Sequence, residues 1–256
     1  MALDEAIALT VRAGTQPPTL RLYTWTAPSV SLGVFQNFSD IDLRLCTDLG
    51  IQIVRRPTGG RAILHGNELT YSFSARNEGV FARGLYPAFY ALSSAFAYAF
   101  RSLGLAVAIK KRPAAGAALT GNAACFASIS YGELTVAGAK IIGSAQKRWP
   151  DGFLQQGCIP YVIDNELESR IFRQLPGAGV RSALKDFVNP IAPLHVEAAI
   201  IAGFEEAFRV RMVAAQPSVA EQALAQRLVL EKYQSEEWTR LAGRSRGNPS
   251  RDNSER

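Results

Sequence analysis

The chain is poor in the residues that build metal centres and covalent frameworks. Its 256 residues include three cysteines and two histidines. Cys46, Cys125 and Cys158 are too few and too widely spaced for a disulfide framework or a paired-cysteine metal site, so free thiols and no metal are expected. No apolar run reaches the roughly 18 to 20 residues that a bilayer span requires, and no basic stretch followed by an apolar core opens the chain. A soluble, unexported protein is expected, with the cytoplasm as its compartment. Strong charge of one sign is also missing. The formal net charge is +6; four arginines against Asp252 and Glu255 put +2 of it in residues 244–256, leaving +4 on the rest. Such a balance suits an acidic partner as readily as nucleic acid.

What is present is apolar material, 48% of the residues, enough for a sizeable core without staples. Leu3, Ala6, Ile7 and Val11 recur at helical spacing before a stop at Gly14. Residues 20–25 (LRLYTW), 30–34 (VSLGV), 51–54 (IQIV) and 69–73 (LTYSF) read as strands, and Ser39 as the cap of a helix carrying Ile41, Leu45 and Leu49. On that helix Cys46 reads as a core residue. A long helix runs from Pro87 to Gly104 with Leu92, Phe96 and Phe100 on one side. The small-residue stretch 113–128 reads as a loop, residues 131–145 as a hairpin turning at Ala137 and Gly138, and 153–163 as a strand interrupted by Pro160. Beyond residue 165 the pattern is helical, with a helix from His195 to Met212 and a capping box of Ser218 and Glu221 opening another. Strands first and helices later predict an α+β fold, a mixed sheet packed with helices. It is expected to form one domain over 1–243, mainly helical in 170–243, with a disordered basic tail at 244–256.

Two stretches could carry chemistry. In RRPTGGRAILHGNELTYSF, residues 55–73, paired glycines between strands let the backbone approach a ligand, and Arg55, Arg56 and Arg61 add positive charge. A phosphate or a developing oxyanion would be stabilised there; a tight turn with solvated arginines is the plainer reading. In the second, Cys125 sits in GNAACFAS and Lys140 follows fifteen positions later. A nearby ammonium favours the thiolate that attacks acyl groups. Taken alone, the cysteine reads as a core residue and the lysine as solvent-facing.

Residues 55–73 and AGAKIIGSAQKR, residues 137–148, resemble the signature and lysine motifs of the biotin/lipoate protein ligase superfamily, in particular its lipoate-ligase and octanoyltransferase branch. The likeness runs from MALDEA at 1–6 to YQSEEW at 233–238. It implies that Arg56, Gly59, Gly60 and His65 hold the activated head of an acyl group, that a tunnel takes its chain, and that Lys140 faces the reacting carbonyl. ACF at 124–126 resembles the cysteine context of the octanoyltransferases, and no counterpart of the long accessory domain of many ligases follows residue 243. Relatives usually have a strand and a tryptophan ahead of the MALDEA helix, a histidine where Gln156 stands and a small residue where Cys158 stands. Either an edge strand is missing or the true start lies further upstream, and the departure is expected to bear on stability rather than chemistry.

The expected activity is therefore octanoyl transfer from octanoyl-acyl carrier protein, through a thioester on Cys125, to the lysine of a lipoyl-accepting domain such as glycine cleavage H protein. Lys140 would lower the thiol pKa and shuttle protons, with backbone amides near Gly59, Gly60, Gly143, Ser144 and Ala145 donating to the oxyanion. No cofactor is needed on this reading. ATP and magnesium enter only for the alternative of a lipoate ligase; a third alternative moves octanoyl groups between lipoyl domains. No nucleic-acid or membrane partner is expected, since no recognition pattern accompanies the basic charge.

Overall fold

The computed structural model describes residues 1–110, 132–173 and 182–241. The stretch 113–128 and the tail 244–256 lie wholly outside them. Helix α1, Ala2–Arg12, ends before Gly14 at φ +74°, as its apolar spacing predicts. Strand β1, Thr19–Tyr23, and β2, Ser29–Leu32, follow. Helix α2, Leu43–Asp48, starts later than expected, because Asp42 rather than Ser39 caps it by accepting from the Leu45 amide. Strand β3 is Gln52–Arg55. The signature motif is not all loop. Its second half forms β4, Ile63–His65, which pairs antiparallel with β2, while β3 pairs parallel to β2 on the other side.

The main sheet is antiparallel, in the order β1, β5 (Glu68–Arg76), β10 (Gly152–Pro160), β9 (Gly143–Arg148). Between β5 and β9 come α3, Leu85–Ser102, and a small sheet of β6 (Val107–Ile109), β7 (Leu134–Val136) and β8 (Ala139–Lys140). Ala137 and Gly138, both at positive φ, make the two-residue turn between β7 and β8. The hairpin stops at Lys140. Ile141 and Ile142 carry the chain across to the main sheet, so KIIGSA is not one strand.

Strand β5 alternates apolar and polar residues, yet both faces are buried. Leu69, Tyr71, Phe73 and Ala75 join Phe153 and Ile159 in the core against α3 and α5, Pro193–Phe208. Ser72 on the opposite face meets Asp4 of α1. Burial of each large side chain in this core, such as Phe96, Phe100 or Phe204, contributes about 1.5–3 kcal/mol. A second cluster joins Val30, Leu32 and Ile51 to Cys46 of α2 and to Ile171 of α4, Asn165–Ile171; Cys46 is thus a core residue. Helix α5 ends at Phe208, short of Met212, with Arg209 left-handed at its cap. The Ser218 and Glu221 capping box opens α6, Val219–Leu228, and two π-helical turns, Val229–Tyr233 and Glu237–Leu241, end the described chain. No helix among the described residues is long and apolar enough to cross a membrane.

Candidate active site

Strand β3 delivers the chain into a loop, residues 56–62, that is fixed from three sides. Arg56 folds back so that all five of its N–H groups donate: to Ser31 O and Oγ at 2.9 Å each, to Gly59 O at 3.1 and 2.8 Å, and to Arg61 O at 2.6 Å. Thr58, fully buried, donates to Gln156 Oε1 at 3.0 Å, and Gln156 Nε2 donates to Asp4 Oδ2 at 2.7 Å. Asp4 also receives Arg21, Tyr23 and Ser72. Burial alone raises the pKa of Asp4, but the Met1 ammonium, Arg21 and the Gln156 hydrogen bond prevail and lower it. The third side is Gly33, where a Cβ would meet Gly60 O at 1.9 Å. Gly60 needs glycine on its own account, at φ +86°, whereas a Cβ on Gly59 would meet nothing within 4 Å. Of the pair, Gly60 meets a conformational need and Gly59 leaves open space.

His65 ends β4 inside a closed network. Its Nε2 lies 2.7 Å from Ser31 Oγ and its Nδ1 2.6 Å from Glu68 Oε1. The Glu68 carboxylate can only accept, so Nδ1 donates to it, while Nε2 faces the Ser31 hydroxyl, which also accepts from Arg56. Trp25 stacks on the ring at 4.1 Å, and its Nε1 donates to Thr70 Oγ1, which donates on to Glu68. With both nitrogens engaged, His65 is a wall held in place rather than an open base.

Lys140 ends β8, buried, and its ammonium is paired with the equally buried carboxylate of Glu133. The pairing offsets the cost of removing either charge from water. Across from it Ser144 Oγ lies 2.6 Å from Tyr71 Oη, which accepts from Gln155 at 2.8 Å. Burial pushes the Tyr71 hydroxyl up to about 12, which keeps it a neutral partner. A Cβ at Gly157 would meet Tyr71 Cε1 at 2.4 Å and Gly143 O at 2.5 Å, so this part of the sheet can pack only around glycine.

Arg56, Gly60, His65, Lys140, Gly143, Ser144 and Ala145 all line one pocket; Gly59 is not in its wall. A second, larger pocket shares Ile63, His65, Lys140 and Gly143 with the first. Lys140 thus stands where the two meet. Cys125 lies outside the described residues. The two ends of the segment that carries it are described: Gly132 N donates to Lys110 O at 2.9 Å, and Lys110 N to Glu133 O at 3.0 Å. Cys158 is buried in the wall of the larger pocket. No group of three or more His, Cys, Asp or Glu able to hold a metal occurs among the described residues.

Glu133, Glu68, Asp4, Thr58, Ser31 and Trp25 escape the sequence reading. The available signal was Asp4 and Glu5 beside the apolar stripe of α1, carboxylates where a helix buries its face. The others are paired by tertiary contact alone.

The model of the lipoyl protein ligase A/B catalytic domain matches residues 1–208. Octanoyltransferase LipM of Carboxydothermus hydrogenoformans is 35% identical, over 93% of this chain and 92% of its own. Among solved structures, lipoate-protein ligase A bound with ATP superposes with a TM-score of 0.81 at 24% identity, over 94% of this chain and 92% of that one. The bipartite lipoate protein ligase of Thermoplasma acidophilum, solved with its E2 lipoyl domain, gives 0.76 at 24%, over 97% and 92%. At these identities the solved structures speak for the fold. The sequence relative and the matched model carry the further step: the chain belongs to the lipoyl protein ligase A/B catalytic domain family.

Proposed function

We propose that this protein is an octanoyltransferase of lipoate biosynthesis, taking an octanoyl group from octanoyl-acyl carrier protein and passing it to the lysine of a lipoyl-accepting domain through a thioester on Cys125. The 35% identity to octanoyltransferase LipM supports the acyl group and the reaction class. The observation that carries the chemistry is Lys140, a buried ammonium at the junction of two pockets. Cys125 stands seven residues before Gly132, whose backbone pairs with Lys110 beside Glu133.

In the first step the Cys125 thiolate attacks the donor's thioester carbonyl; the carbon–sulfur bond to the donor breaks, and the donor thiol leaves carrying the proton that Cys125 gave up. In the second the acceptor ε-amine attacks, an amide forms, and the Cys125 thiol is restored with a proton from the amine. Lys140 stabilises the thiolate and passes the proton. No ATP is consumed. Among the described residues the wall of the larger pocket holds Glu68, Asp164 and Glu168 beside Lys140, an acidic lining that supports the approach of an acceptor ammonium.

Incubation with octanoyl-acyl carrier protein is expected to give one octanoyl adduct, mapped by peptide mass spectrometry to Cys125, and Cys125→Ala to lose transfer. Parallel reactions with free lipoate plus ATP, or with an octanoylated donor domain, identify a ligase or an exchange enzyme if either modifies the acceptor instead.

A further inference from the structure

The family model ends at residue 208, yet the chain beyond it reaches back to the candidate site. Arg55, the last residue of β3, is 0% exposed, and no carboxylate pairs with it among the described residues. Its guanidinium is held by main-chain carbonyls instead. Nη1 donates to Gly33 O and Gln36 O at 2.7 Å each, and Nε donates to Trp238 O and Thr239 O at 3.2 and 3.0 Å. Trp238 answers by donating its indole N–H to Arg55 O at 2.8 Å. A buried cation with only carbonyl partners is costly to keep, and Nη2 has no hydrogen-bond partner among the described residues. Such an arrangement fixes geometry more than it adds stability.

The geometry it fixes is that of the pocket. The carbonyl of Gly33 that Arg55 grips belongs to the residue on which Gly60 O packs, too close for any side chain. At its other end the segment 229–241 grips α1: Lys232 Nζ lies 2.6–2.7 Å from the Glu5 carboxylate, and Tyr233 Oη donates to it at 2.6 Å. The neighbouring Asp4 is the residue that anchors Gln156 and, through it, Thr58. Lys232 also stacks over the Trp238 ring at 4.1 Å, so the two grips are one unit.

We infer that residues 229–241 form a strap that holds the 56–62 loop in its working position, with Trp238 as a positioning residue for acyl transfer. This rests on the function proposed above, and the test separates the two. Trp238→Phe keeps a ring and deletes the N–H; Tyr233→Phe deletes one hydroxyl at the far end; Leu230→Ser alters an exposed residue of the same strap. Hydrogen exchange at residues 58–60 and the kcat and KM of transfer are measured for each, per mole of folded protein. Trp238→Phe is expected to speed exchange and to lower kcat roughly 10- to 100-fold with KM nearly constant, because a small misplacement of the site is enough. Tyr233→Phe should follow in the same direction, and it decides the question if Trp238→Phe does not fold. Leu230→Ser should match the wild type. If exchange at the loop is unchanged in both interior variants, or if kcat falls only with the folded fraction, the strap holds nothing. If exchange rises while the wild type itself transfers no octanoyl group, the strap stands and the functional reading falls.

Discussion

Lys140 and Glu133 are 4% and 5% exposed and form an ion pair. Lys140→Met should therefore abolish transfer and also destabilise the fold by about 3–5 kcal/mol, since the buried Glu133 carboxylate loses this partner. Adding Glu133→Leu should recover most of that stability without recovering activity; urea unfolding and an acyl-transfer assay check the two halves. Asp4 makes a second prediction. Its pKa is lowered in the folded state, so its contribution is fully present above the ordinary carboxylate value of 3.8 and is lost as pH falls through the lower folded value. Melting temperature should decline over that acid range, and Asp4→Asn should be less stable at neutral pH but flatter below it. At this scale the motif residues were legible in the sequence, because paired glycines and clustered arginines are rare local signals. Their partners were not. The link from Thr58 to Gln156 spans 98 positions, and nothing within a few residues of either announces it.

The elements were legible where local rules govern them. The Gly14 stop, the Ala137 and Gly138 turn and the Ser218 and Glu221 box each occur as their residues dictate. They were misjudged where a neighbouring element decides: β4 is a strand because β2 offers it a partner, and α2 begins at Asp42 because the chain before it bridges Ile41 to Phe172. Helix α3 packs against α5 through Gly203, where a Cβ would meet Ala95 O at 2.4 Å and the Ala99 amide at 2.8 Å. Gly203→Ala should cost about 1–3 kcal/mol by overpacking, read by denaturant unfolding, while kcat per folded molecule stays near wild type.

Across the whole molecule, two sheets and the small β6–β8 hairpin sheet converge on one lysine, and α1 and the C-terminal turns hold the loop opposite it. The α+β class follows from the order of strands and helices along the chain; the convergence does not, because it depends on which sheets meet. The net charge of +6 fits an acidic donor or acceptor at the encounter. The most direct test of the account isolates the enzyme after reaction with octanoyl-acyl carrier protein, removes the donor, and mixes it with an unmodified lipoyl domain in the absence of ATP. The account predicts that the octanoyl group leaves Cys125 and appears on the acceptor lysine in a single turnover, one group for each enzyme. An acceptor that stays unmodified until free acid, ATP and magnesium are supplied would contradict it.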